Sequence, residues 1–172
     1  MERSTRARSW WISSNQPSLT TRRVRRLSSA TKQIISVAPA NPAYRSLAEV
    51  VIAPPILHLL QVQSLLSQGS HPIQVSAQNA YHKASGAFTG EVSVDQLADA
   101  KIPWVIIGHS ERRTLFGEAD HNVAEKTEAA LKAGLSVILC VGETLAQREG
   151  NETAAVVTRQ LNAVAEVVKD WR

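Results

Sequence analysis

From Glu49 onward the chain alternates short apolar runs with longer stretches whose apolar positions recur at helical spacing. Val50-Val51-Ile52-Ala53 is the first run and ends at Pro54-Pro55. Residues 56–68 predict a helix with Ile56, Leu59, Leu60 and Leu65 as its apolar members. Residues 73–77 predict the second strand, and a turn-rich loop over 78–92 follows. Ser93 with Gln96 three positions later is the pattern of a capping box, so a short helix is expected over 94–100. The third strand is 104–107, Trp-Val-Ile-Ile, ended by Gly108. A helix over 122–133 carries Val123, Ala124, Ala130 and Leu131 on its apolar stripe, with Gly134 as its stop. The fourth strand is 136–141. A last amphipathic helix over 152–170 carries Val156, Val157, Leu161, Val164 and Val168.

The order is therefore strand and helix, four times over. Strands that are apolar on both faces belong to a parallel sheet covered by helices. Spacings of about 23–32 residues between strand starts suit βα units. Periodicity alone does not choose between a barrel and a doubly wound sheet. No Gly-x-Gly-x-x-Gly and no phosphate-loop motif follows any strand, which disfavours a nucleotide-binding fold of the usual kind.

Composition adds bounds. The chain has 172 residues, 44% hydrophobic and 20% charged, as ordinary soluble proteins do. That length suits one domain, or one domain and a tail. No apolar run reaches membrane-spanning length. One cysteine, Cys140, excludes an internal disulfide and a multi-cysteine zinc site.

Charge divides the chain. Residues 1–48 hold nine Lys/Arg against one acid, Glu2, whereas 49–172 hold ten against fourteen. The net charge of +4 thus comes from the first quarter alone, and a nucleic-acid partner for the whole protein does not follow from it. Three readings fit the Arg- and Ser-rich segment 1–48: a disordered tail or sequence foreign to the domain, a transit peptide, or a basic arm for nucleic acid. The first accords best with its composition. On that basis 1–48 is a basic tail and 49–172 the folded domain, with a cytoplasmic location expected, or an organellar one if the tail is a transit peptide.

Ligands of parallel βα folds meet the carboxyl ends of the strands. After the third strand comes Gly108-His109-Ser110-Glu111-Arg112-Arg113. Ser110 is placed to cap a helical turn beginning at Glu111, and backbone N–H groups there favour a neutral imidazole at His109. A satisfied, partly buried histidine is the plainer reading of position alone. Gln78-Asn79 follows the second strand and Gly142-Glu143-Thr144 the fourth; a structural role suffices for each. Cys140, inside an apolar strand, reads as an inert core thiol. His58, His71, His82 and His121 are scattered and lack metal-ligand spacing. Arg113 and Glu118 are close enough in sequence for a local ion pair.

Gly108-His109-Ser110-Glu111-Arg112-Arg113 with Phe116-Gly117-Glu118 closely resembles the triosephosphate isomerase family. The resemblance runs in register through Val51-Ile52-Ala53-Pro54-Pro55, Ala77-Gln78-Asn79-Ala80-Tyr81 and Gly86-Ala87-Phe88-Thr89-Gly90-Glu91. It continues through Trp104-Val105-Ile106-Ile107 and Val137-Ile138-Leu139-Cys140-Val141-Gly142-Glu143-Thr144, to Val167-Val168-Lys169-Asp170-Trp171. It covers about 49–172.

The resemblance implies an α/β fold, part of a (β/α)8 TIM barrel. It implies interconversion of dihydroxyacetone phosphate and glyceraldehyde 3-phosphate, without cofactor or metal, by a homodimer. His109 matches the family's electrophile, a neutral imidazole that polarises the substrate carbonyl; this enzyme is a standard worked example of that tuning. Glu111 matches a supporting carboxylate. Residues 86–91, with Phe88, Thr89, Gly90 and Glu91, match the loop that inserts into the partner subunit.

No segment here matches the family's first-strand Asn and Lys that bind substrate, so no substrate-binding residue is assigned. Nor does any match the Ala-Tyr-Glu-Pro motif that holds the catalytic base. What matches is strands two to five of eight. Four such strands leave two sheet edges and half a barrel interior open, and the isolated chain is expected to be poorly stable and inactive. The alternatives are a non-catalytic partial barrel that docks on full-length isomerase subunits through the Thr89 loop, and an incomplete gene model.

Overall fold

A computed structural model describes residues 49–69, 72–84, 86–169 and 171. The segment 1–48, and every expectation for it, lies outside the described residues. Four strands form one sheet: β1 (Val50–Ile52), β2 (Ile73–Ala77), β3 (Trp104–Ile107) and β4 (Ser136–Leu139). Every neighbouring pair is parallel, with Val51 beside Gln74, Ala77 beside Val105 and Val105 beside Val137.

The strand order is β1-β2-β3-β4, the order of the chain itself. A doubly wound sheet would reverse direction at a switch point. Sequential order, with right-handed crossovers, puts every connecting helix on the same side of the sheet. This is the progression of a β/α barrel, and it resolves the choice that periodicity left open: the fold is a curled half-barrel of parallel strands alternating with helices.

Burial agrees with that geometry. In β3, Val105 and Ile107 face the helices and are fully buried, whereas Trp104 and Ile106 point to the other face and stay half-exposed. Val75 and Ala77 on β2 join the buried side. On the open side Trp104 Nε1 donates to Gln74 Oε1 at 2.9 Å, and Gln74 Nε2 donates to Glu49 Oε1 at 2.6 Å. A chain of polar groups thus crosses the concave face from β3 to the start of β1.

The helices follow the predicted order with shifted faces. A 3-10 turn (Ile56–His58) precedes α1 (Leu59–Ser67), whose buried side is Leu59, Val62 and Leu66. Those positions lie at i, i+3 and i+7 on a single stripe, which leaves Ile56 and Leu60 outside the core, contrary to expectation. Helix α2 (Val94–Asp99) begins with the predicted capping box, Ser93 Oγ accepting from Gln96 N and Gln96 Oε1 from Ser93 N.

Helix α3 (Ser110–Leu115) leads into α4 (Asp120–Lys132), which starts two residues earlier than its apolar pattern suggested. Gly134, at φ +81, ends it as predicted. A short helix α5 (Leu145–Glu149), absent from the sequence reading, is nucleated by a second capping box between Thr144 and Gln147. Helix α6 (Thr153–Ala165) ends five residues before the expected bound. Its buried side is Val156, Gln160 and Val164; Leu161 faces outward.

Candidate active site

The candidate site lies just past the carboxyl ends of β3 and β4. Gly108, at φ +78, turns the chain out of β3. A Cβ there would meet Val123 Cγ1 at 2.9 Å, and Arg113 Nη2 and the Cys140 carbonyl oxygen at 3.0 Å. Glycine is required by conformation and by space alike.

His109 follows, and it caps α3 itself. Its Nδ1 accepts a hydrogen bond from the Glu111 N–H at 3.3 Å. The expected cap was Ser110, but Ser110 is already the first helical residue. The imidazole takes over because the extended backbone of His109, ψ 145, turns its side chain toward the free N–H groups of the first turn. That bond engages Nδ1 as an acceptor and leaves Nε2 outside the cap.

Glu111 sets the ring through its backbone. Its carboxylate lies 3.7 Å from Nδ1 and is two-thirds exposed. Thus the N–H of Glu111, rather than its charge, makes the hydrogen bond to His109.

Two ionic clusters support this turn, and sequence reasoning missed both. In the first, Glu118 Oε1 accepts from Arg112 Nε at 2.8 Å and from Lys126 Nζ at 2.5 Å; Lys126 also donates to Asn79 Oδ1 at 3.1 Å. Lys126 and Glu118 are both more than nine-tenths buried, and Glu118 Oε2 has no protein partner. Burial pushes the Glu118 carboxyl up, but the bonds and charges of Lys126 and Arg112 outweigh it and hold it below its ordinary value.

In the second cluster, Arg113 Nη1 donates to Asp120 Oδ1 and Arg159 Nε donates to Asp120 Oδ2, each at 2.8 Å. Burial raises Asp120 and the two arginines lower it further, so the net shift is downward. The anticipated Arg113–Glu118 pair does not form. Adjacent residues on a helix point about 100° apart, so Arg112 reaches Glu118 while Arg113 turns toward α4 and the strand ends.

The loop after β4 is held differently. Gln160 of α6 donates from Nε2 to the Gly142 carbonyl at 3.0 Å and accepts from the Gly142 N–H at 2.8 Å. Glu143 accepts from Arg148 Nε at 2.7 Å and from Thr153 Oγ1 at 3.2 Å, and the Arg148 bond holds its carboxyl below the usual range. Cys140 lies outside β4 and is half-buried; burial raises its thiol. After β2, Gln78 Nε2 donates back to the Ala53 carbonyl at 2.9 Å.

The Thr89 loop is built on a turn in which Glu91 N donates to the Phe88 carbonyl at 3.0 Å. Thr89 and Gly90 are its central residues, and Gly90, at φ +92, supplies the positive φ of a type II turn. Phe88 packs on Tyr81 with ring centroids 4.7 Å apart, while Thr89, Gly90 and Glu91 are exposed. Among the described residues no His, Cys, Asp and Glu cluster suits a metal, and no helix is long and apolar enough to cross a membrane. A shallow groove of about 660 Å³ beside Ala154, Thr158, Asn162 and Glu166 does not include His109.

Parallel strands in sequential order, with a helix-capping histidine at a strand's carboxyl end, define part of a β/α barrel. A family model described as triosephosphate isomerase matches residues 22–172, beginning upstream of the described part of the chain. The chain belongs to the triosephosphate isomerase family. Similar curated proteins include triosephosphate isomerase of Coprinopsis cinerea, 58% identical over 125 residues, which are 72% of this chain and 49% of that protein. The Saccharomyces cerevisiae triosephosphate isomerase is 56% identical over 123 residues, with the same shares. A protein of Oryza sativa subsp. japonica named triosephosphate isomerase, cytosolic, is 51% identical over 129 residues, 75% of this chain and 50% of that protein. The chain spans about half the length of the curated relatives it matches.

Proposed function

We propose that this chain carries the electrophile side of a triosephosphate isomerase site. The reaction on this reading interconverts dihydroxyacetone phosphate and glyceraldehyde 3-phosphate, in glycolysis and gluconeogenesis, with neither cofactor nor metal. The carrying observation is the His109 cap, in which Nδ1 accepts from the Glu111 N–H; on this reading the ring is neutral and carries its N–H on Nε2. That N–H donates to the substrate carbonyl oxygen and stabilises the negative charge that develops there as the adjacent carbon loses its proton. Basic chemistry is then required of a second group within about 3 Å of that carbon-bound proton.

Neither carboxylate beside the turns fits that second role. Glu111 lies against Nδ1, the occupied ring nitrogen. Glu143 is tied to Arg148 and Thr153, and its lowered pKa makes it a weak base. These 172 residues, taken by themselves, are therefore proposed to bind no transition state competently. Residues 88–91, with Phe88 packed on Tyr81 and Thr89, Gly90 and Glu91 exposed, are proposed to dock on a family subunit, whether a second copy or a full-length isomerase. Leu57, 89% exposed past the end of β1, is a second apolar element suited to such a contact. The cytoplasm, named for the rice relative, is the proposed location.

The test has two arms. Purified from a host lacking its own isomerase, the 172-residue chain should show no turnover; clear turnover would overturn the assignment of the missing base. In a chimera, residues 49–172 replace the matching stretch of the Coprinopsis protein. It should isomerise triose phosphates, and His109→Gln should lower its kcat by about 10²–10⁴-fold. An unchanged kcat would remove His109 from the chemistry.

A further inference from the structure

We infer that Arg113 is a positioning residue whose side chain and backbone together lock the peptide groups on both sides of His109. The inference rests on the reading of His109 as the electrophile and concerns how its ring is aimed.

Arg113 Nε donates to the Gly108 carbonyl at 2.8 Å, and the Arg113 backbone N–H donates to the His109 carbonyl at 3.1 Å. The carbonyls immediately before and after the His109 Cα are thus held by one residue. The same guanidinium donates through Nη2 to the Cys140 carbonyl at 3.2 Å and through Nη1 to Asp120 at 2.8 Å. The end of β3, the residue just past β4 and the first residue of α4 therefore meet on one planar group, whose side chain is only 12% exposed.

The geometry needs arginine. Three acceptors in three directions match the fixed fork of a guanidinium; a lysine ammonium on its flexible stem cannot hold all three. The lock also acts where the backbone is freest. Gly108 sits at φ +78, a conformation it leaves readily unless its carbonyl is held, and any Cβ at Gly108 would press on Arg113 Nη2 itself. Release of the Gly108 carbonyl lets His109 rotate, and the 3.3 Å bond from Glu111 N–H to Nδ1, already long, is the first to be lost.

The readout is the imidazole, observed by ¹⁵N NMR of the full 172-residue chain. In the wild type the His109 nitrogens should give widely separated signals, Nδ1 unprotonated and Nε2 protonated. Arg113→Gln should collapse that separation as the two tautomers average. Arg113→Lys should recover only part of it, and Asp120→Asn, which takes the charge from one anchor of the guanidinium, should fall between the Gln variant and the wild type. Arg159→Gln, which touches only the other oxygen of Asp120, should leave the signals in place. The Trp104 indole N–H, bonded to Gln74 on the open face, reports whether each variant is folded. A folded Arg113→Gln chain with wild-type His109 signals overturns the inference. If that variant unfolds, wild-type signals in both Arg113→Lys and Asp120→Asn overturn it equally. Because the signal is read without turnover, a failure of the isomerase reading in the chimera leaves this result standing, and the converse holds.

Discussion

Two segments leave the carboxyl ends of neighbouring strands: the turn at Gly108 and His109 after β3, and the loop over 86–91 after β2. The first is tied to remote parts of the fold. Arg113 reaches Cys140 and Asp120, and Arg112 reaches Glu118, which in turn is bound by Lys126. The second is held almost wholly by itself, through the Phe88–Glu91 turn and the packing of Phe88 on Tyr81. The difference matches what each is proposed to do. A group that must meet developing charge within tenths of an ångström has to be fixed before substrate arrives. A loop that docks on another subunit needs a fixed local shape and an exposed tip, and nothing behind it.

The largest break in that comparison is expected at Lys126. Lys126→Met removes one partner of a buried pair and leaves Glu118 charged beside Arg112 alone. A loss of about 3–5 kcal/mol is expected, read as a fall in the denaturant midpoint. A loss below about 1 kcal/mol would mean that the cluster is solvated and does not anchor the turn.

Acid should act on the same segment. Glu118 and Asp120 both have folded-state values below their ordinary ones, 4.5 and 3.8. The stability they contribute is fully present above those ordinary values and is lost as pH falls through the lowered ones. The denaturant midpoint should therefore drop as pH falls below those ordinary values, and Glu118→Gln with Asp120→Asn should flatten that dependence. An equally steep drop in the double variant would place the acid sensitivity elsewhere.

The smallest effects compare the two turns directly. Gly108→Ala forces a side chain into a positive φ and against Arg113, with an expected cost of about 1–3 kcal/mol. Thr89→Ala touches an exposed tip and should stay within about 0.5 kcal/mol. It should nonetheless weaken capture of a full-length family subunit in a pull-down. Equal costs at Gly108 and Thr89 would erase the distinction between a fixed turn and a free one.

Much of the fold was legible along the chain. All four strands, the Ser93–Gln96 box and the Gly134 stop depend on neighbours a few residues away, and such patterns survive folding, although β4 ends at Leu139, two residues short of its expected bound. Helix faces were less legible. Ile56 and Leu60 are as apolar as Leu59, and only packing against β2 selects Leu59, Val62 and Leu66 as the inward stripe. His109 was legible as a candidate site residue from its motif and its place after a buried strand. Its role as the helix cap was not, because Ser110 is the better cap by residue type and only the backbone angles exclude it.

By itself, then, the sequence determined the alternation of strand and helix and the family. Each of these rests on residue type and short-range spacing. Tertiary structure alone decided the sequential strand order, the pairing of Arg112 with Glu118 and of Arg113 with Asp120, and the burial of Lys126. It also decided the grip of Gln160 on Gly142. Those contacts join residues up to 18 positions apart, as Gly142 and Gln160 are, and the bond of buried Lys126 to Asn79 spans 47. Which donor meets which acceptor at that separation depends on where the strands set their ends, and a donor is identified by residue type before its partner is in reach.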